Sequence, residues 1–123
     1  GKDVTCFASG GTVQGALQAA EKLAVEGISV RVVNLSSIKP IDVETIVKYA
    51  RETKKVFTVE DHNVIGGMGS AVCEVLSENC PALVKRWGLL DRFGESGSPE
   101  GLYAKYELDG DGIARRLKEF VKG

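Results

Sequence analysis

Ile28-Ser29-Val30-Arg31-Val32-Val33-Asn34-Leu35 is rich in valine and reads as a buried strand. What flanks it sets the fold. Upstream, Val13, Ala16, Leu17, Ala20, Leu23 and Ala24 recur at helical spacing, and Gly27 stands where a helix C′ residue is expected. Before that helix, Val4 to Ser9 forms a short β-prone run that ends in Gly10-Gly11-Thr12. Downstream, Asp42 is placed to cap a helix carrying Val43, Ile46, Val47 and Ala50 on one face. Ile41 and Ile46 suit a hydrophobic staple across that cap.

The alternation continues. Lys55 to Glu60 predicts a third strand. Met68, Ala71, Val72, Val75 and Leu76 predict a third amphipathic helix, and Leu83 to Leu89 a fourth strand. Asp91 to Ser98 reads as an irregular loop. Ser98-Pro99-Glu100 then has the cap, N1 proline and early acidic residue of a short helix running to about Tyr106. A last helix places Ile113, Leu117, Phe120 and Val121 on one face, with Leu108 stapled to Ile113 across an Asp109 cap.

Strand and helix in this rhythm predict a three-layer α/β/α fold around an open, mostly parallel sheet. In such folds sites form at the carboxyl ends of strands. Three loops qualify: Ser9 to Thr12, Asp61 to Ser70, and Asp91 to Ser98. Residues 1–123 read as one domain with no internal repeat or linker, and Gly1-Lys2 as its cut edge.

Sixteen basic and seventeen acidic residues give a net charge of −1, which leaves no electrostatic footprint for nucleic acid or an anionic membrane. No apolar run approaches the ~20 residues of a membrane span, and the N-terminus lacks the apolar stretch of a signal peptide. Three cysteines (Cys6, Cys73 and Cys80) without CxxC spacing argue against a disulfide framework or zinc site. A reducing, cytoplasmic setting is therefore expected.

Four stretches invite a chemical reading. Gly10-Gly11-Thr12 opens a helix, whose N-terminus attracts anions, but it lacks the spacing of a nucleotide loop; a tight turn with a Thr12 cap is the plainer reading. Glu60-Asp61-His62-Asn63 with Gly66-Gly67-Met68-Gly69-Ser70 gathers two carboxylates, the only histidine and a glycine-rich helix start. His62 could donate a proton or hold phosphate there, yet one histidine without a nucleophile is not a mechanism. Asp109-Gly110-Asp111-Gly112 fails as an EF-hand, because Ile113 and Phe120 occupy liganding positions, and it stands too near the chain end for a diphosphate motif. In Asp91 to Pro99, Arg92 could grip a carboxylate or phosphate, or anchor the loop to Glu95 or to a neighbouring subunit.

These landmarks also carry a family resemblance. Val30 to Leu35, Ile38-Lys39-Pro40-Ile41-Asp42, Thr58-Val59-Glu60-Asp61-His62 with Gly66-Gly67-Met68-Gly69, and Phe93-Gly94-Glu95-Ser96 together resemble the C-terminal domain of transketolase, from about Asp3 to Val121. Phe93-Gly94-Glu95-Ser96 is similar to the transketolase ending Phe-Gly-Glu-Ser-Ala-Pro, with Gly97-Ser98-Pro99 in place of Ala-Pro. The separately encoded C-terminal section type fits well. Related deoxyxylulose-phosphate synthases and 2-oxo acid dehydrogenase beta subunits are weaker matches at these positions.

The resemblance implies a Rossmann-like domain with five strands, one of them antiparallel, of which four can be placed here. It implies a part in thiamine-diphosphate-dependent two-carbon ketol transfer between sugar phosphates, in the pentose phosphate pathway. Thiamine diphosphate and Mg²⁺ would lie between pyrimidine-binding and diphosphate-binding domains, with no cofactor, metal or catalytic residue on this chain, which alone would be inactive. Its partners would be those two domains, in a homodimer or a heterotetramer of split sections. Glu60, Asp61, His62, Gly66, Gly67, Gly69, Ser70, Arg92, Glu95 and Ser96 are the candidate interface or anion-contact residues. A competing expectation is a stand-alone module that binds anions or sugar phosphates at His62 and Arg92.

Overall fold

A computed structural model of the chain describes residues 2–35, 43–63, 68–80, 82–89 and 107–123. Its elements run β1 (Val4–Ala8), α1 (Thr12–Val25), β2 (Val30–Asn34), α2 (Val43–Thr53), β3 (Lys55–Asn63), α3 (Met68–Asn79), β4 (Leu83–Leu89) and α4 (Gly110–Lys122). The described strands form one parallel sheet in the order β2-β1-β3-β4. The chain winds from β1 to β2 in one direction, then crosses back over β1 to β3. That reversal puts the topological switch point between the carboxyl ends of β1 and β3.

Period-two alternation splits the core between two faces. Val4, Cys6, Ala8, Phe57 and Val59 pack with Ala16, Ala19 and Leu23 of α1 and Ile113 and Leu117 of α4. Phe7 and Val56 turn the other way, to Ile46 and Ala50 of α2 and Val72 and Leu76 of α3. Cys6 is wholly buried in the first cluster, and burial pushes its thiol up to about 12, so it packs as a hydrophobe and does not react as a thiolate. Below α2, Thr5 and Thr53 hydroxyls meet at 2.9 Å, and each also reaches the Tyr49 carbonyl at 3.2 Å.

The helix ends follow the sequence signals closely. Gly27 has φ +82°; its N–H donates to Ala24 O (3.1 Å) while Ile28 N–H reaches back to Leu23 O (2.9 Å). This is a Schellman closure, and Ile28 and Leu23 are buried in the same cluster. Asp109 caps α4 by accepting from Gly112 N–H at 2.9 Å, with Leu108 and Ile113 both buried beside it.

Three expectations change. β2, read as a buried strand, lies at the edge of the described sheet, half-buried from Val30 to Val33 and exposed at Asn34. Thr12 is the first residue of α1 and not its cap. The N-cap is Gly11, and the Thr12 hydroxyl lies 2.6 Å from Ser9 O and 3.0 Å from Val59 O, serving the strand ends instead of the helix. The third strand does not stop at Glu60 but runs to Asn63, which pairs with Leu89 after a register irregularity beyond Val59. The Asp42 cap, Ile41 and the short helix ending near Tyr106 lie outside the described residues. All four described strands are parallel, and the fifth, antiparallel one is not among them.

Candidate functional site

At the switch point, Ser9 N–H donates to Val59 O (3.3 Å), which fixes the turn into α1 against the end of β3. Beside it, the alternation that sends Phe57 and Val59 toward α1 sends Thr58 and Glu60 toward α3. Glu60 is 1% exposed, and its carboxylate accepts the Gly69 N–H at 2.7 Å. A carboxylate there satisfies a first-turn donor and faces the positive end of the α3 dipole.

Gly69 is held tightly by its surroundings. A Cβ on it would stand 2.7 Å from Thr58 Oγ1 and 3.2 Å from the Arg86 stem, so only glycine lets α3 begin this close to the sheet. Thr58 is fully buried, and its hydroxyl has no hydrogen-bond partner among the described residues. Arg86 of β4 crosses the same helix start, and its guanidinium lies 3.1 Å from Ser70 Oγ.

The candidate residues therefore divide. Glu60, Gly69 and Ser70 come together with Thr58 and Arg86. Asp61 and His62 fall on the extension of β3 and not in a loop. Gly66, Gly67, Arg92, Glu95 and Ser96 lie outside the described residues. Glu60 turns inward and acts as a structural cap for α3. Arg86 was missed because a basic residue in Leu83-Val84-Lys85-Arg86-Trp87 looks like an ordinary solvent-facing position. The only sequence signal was its place opposite a glycine-rich helix start, which becomes visible once strand pairing is known.

A second polar cluster closes the far side of β4. Trp87 Nε1 donates to Glu107 O (2.9 Å), and the Arg116 guanidinium lies 4.4 Å from the Trp87 ring centre. The Glu107 carboxylate pairs with Arg116, whose Nε is 2.9 Å away, and with Arg115 at 3.1 Å. The hydrogen bond from Arg116 holds the Glu107 carboxyl below the usual carboxylate range, with Arg115 adding to it.

The residues do not fit a magnesium–diphosphate group at Asp109-Gly110-Asp111-Gly112. Asp109 is spent on the cap and Asp111 is paired with Lys22. Among the described residues, no group of three or more His, Cys, Asp or Glu side chains could hold a metal ion, and no helix is long and apolar enough to cross a membrane.

With this geometry in place, comparison with known proteins identifies the family. Residues 1–113 match the family described as the transketolase C-terminal domain, and the chain belongs to it. It is 46% identical over 122 residues to one subunit of the apulose-4-phosphate transketolase of Phocaeicola vulgatus, covering 99% of this chain and 39% of that protein. It is 44% identical over 122 residues to a 1-deoxy-D-xylulose-5-phosphate synthase of Syntrophotalea carbinolica, covering 98% of this chain and 19% of that one. A solved structure described as a split-gene transketolase, an inactive beta4 tetramer, superposes with a TM-score of 0.91 at 48% identity, over 99% of this chain and 40% of that one. The chain thus spans about two-fifths of its transketolase relatives and a fifth of the synthase.

Proposed function

We propose that this chain is the C-terminal structural and interface domain of a transketolase. In that enzyme it supports thiamine-diphosphate-dependent transfer of a two-carbon glycolaldehyde unit between sugar phosphates, in the cytoplasmic pentose phosphate pathway. Thiamine diphosphate and Mg²⁺ are held by the pyrimidine-binding and diphosphate-binding domains, and the chain by itself has no activity. Asp61, His62, Gly66, Gly67, Arg92, Glu95 and Ser96 serve the interface with those domains, while Glu60, Gly69 and Ser70 hold the start of α3 in place behind it. Residues 1–123 act as one domain.

The likeness to the split-gene transketolase, a TM-score of 0.91 with 48% identity, carries this reading. The inward turn of Glu60 supports it: its carboxylate accepts the Gly69 N–H and holds the start of α3. The synthase match favours a second reading, in which the same domain serves a pyruvate-consuming relative. Phe93-Gly94-Glu95-Ser96 weighs toward transketolase.

A reconstitution assay separates these. The chain is supplied alone, and the enzyme's remaining domains are supplied with and without it, together with thiamine diphosphate and Mg²⁺. Ketol transfer from xylulose 5-phosphate to ribose 5-phosphate should appear only when both parts are present. Turnover by the chain alone would overturn the reading. Turnover only with pyruvate and glyceraldehyde 3-phosphate would move it to the synthase.

A further inference from the structure

Away from the carboxyl edge, the amino edge of the sheet holds an open surface depression of about 510 Å³ between the ends of α2 and α3. Its apolar walls are Ala50, Cys80, Ala82 and Leu83, and Leu83 is 57% exposed beside them. The remaining lining residues are Arg51 and Lys54, and no carboxylate is among them.

These two cations differ from five others of the chain. Lys22, Arg31, Arg115, Arg116 and Lys118 each pair with a carboxylate. The side chains of Arg51 and Lys54 make no ion pair or hydrogen bond among the described residues. Lys54 also adopts φ +63°, the left-handed region where a helix end ordinarily carries glycine or asparagine. The dipole of α2 is reason enough for a cation in its last turn, which accounts for Arg51. It gives no reason for a strained lysine beside an uncovered leucine. A non-glycine residue held in that conformation is the kind of outlier that marks a site.

We propose that this depression binds a small anion with an apolar body, a monocarboxylate whose tail is one aromatic ring or a short aliphatic chain. The tail lies on Ala50, Ala82 and Leu83, and the carboxylate is held by Arg51 and Lys54. The volume is in the range of small-molecule sites, and an apolar wall with a few convergent polar groups is their usual lining.

The test is a titration of the whole chain with 3-phenylpropionate, with 3-phenylpropanol as the uncharged control. Amide shifts of Arg51, Lys54, Ala82 and Leu83 are followed, and thiol labelling of Cys80 is compared with that of Cys73. Saturable shifts confined to this edge are expected, with Cys80 protected and Cys73 not. Loss of one charge-assisted contact should weaken binding of the acid about threefold to tenfold in Arg51→Gln and in Lys54→Gly, and the alcohol, which loses both, should bind the native chain more weakly than the acid binds either variant. Lys54→Gly relieves the backbone strain, so the variant remains folded and its loss of binding is informative. No saturable shift at millimolar ligand, equal binding of acid and alcohol, or full binding by Lys54→Gly would each overturn the proposal.

Discussion

Glu60 and Glu107 do similar work by opposite means. Each carboxylate fixes the chain where it enters a helix, Glu60 at the start of α3 and Glu107 just ahead of α4. Glu60 is sealed inside and accepts from the neutral backbone N–H of Gly69. Glu107 stands nearer solvent, its side chain 26% exposed, between two guanidiniums. A buried carboxylate gains from the positive end of a helix at close range, where water does not compete. A surface carboxylate gains less from each partner, because water and salt do. The first arrangement fixes geometry at the candidate site, and the second fastens the end of the chain.

The largest effect should come from the backbone beneath Glu107 and not from its charge. A Cβ on Gly112 would overlap the Cα and carbonyl carbon of Glu107, which cannot swing aside as a side chain can. Gly112→Ala should cost about 3 kcal/mol or more in urea unfolding. A cost under about 1 kcal/mol would mean that the 107–112 turn adapts freely.

Next comes the inner carboxylate. Glu60→Ala removes the acceptor of the Gly69 N–H and leaves a cavity, for an expected loss of about 2–4 kcal/mol. Glu60→Gln keeps an acceptor of the same shape and should lose only about 1 kcal/mol. If the two variants were equally stable, the N–H contact would not be what holds α3. In the reconstituted enzyme Glu60→Ala should weaken assembly as well, seen as a raised concentration of the chain at half-maximal activity.

Smaller still is the outer carboxylate. Glu107→Gln should cost about 1 kcal/mol at neutral pH. The folded-state pKa of Glu107 is lowered, so its ion pairs contribute fully above the usual carboxylate range and are lost as pH falls through the depressed value. The stability gap between the native chain and Glu107→Gln should therefore hold from pH 7 down to about 4 and close in stronger acid. A gap that widened in acid would reverse the assigned sign.

The smallest effect is that of salt. At about 1 M salt the Glu107→Gln gap should shrink by a few tenths of a kcal/mol, while the Glu60→Ala gap stays the same, because exposed pairs are screened and buried contacts are not. Equal salt responses would erase the distinction between the two carboxylates.

The amino-acid sequence by itself determined the order and type of the elements, because these rest on local spacing. Leu83–Leu89 is a strand over the predicted residues, Gly27 closes α1, and Asp109 caps α4 with Leu108 and Ile113 beside it. Each of those signals is complete within about six residues of chain. The family landmarks are also local runs, which is why membership could be read from them.

Only the tertiary structure decided which distant residues meet. The sheet order β2-β1-β3-β4 depends on which strand pairs with which, and periodicity assigns faces but not neighbours. Glu60 was expected as the last residue of its strand, but β3 continues past it and turns its side chain to Gly69. The Thr12 hydroxyl left its own helix for Ser9 and Val59, and Arg86 became part of the candidate site only through the pairing of β3 with β4. The Glu107–Arg116–Trp87 contacts join residues that are 9 and 20 positions apart. Their formation depends on the energy gained when the layers close, and no local pattern encodes that.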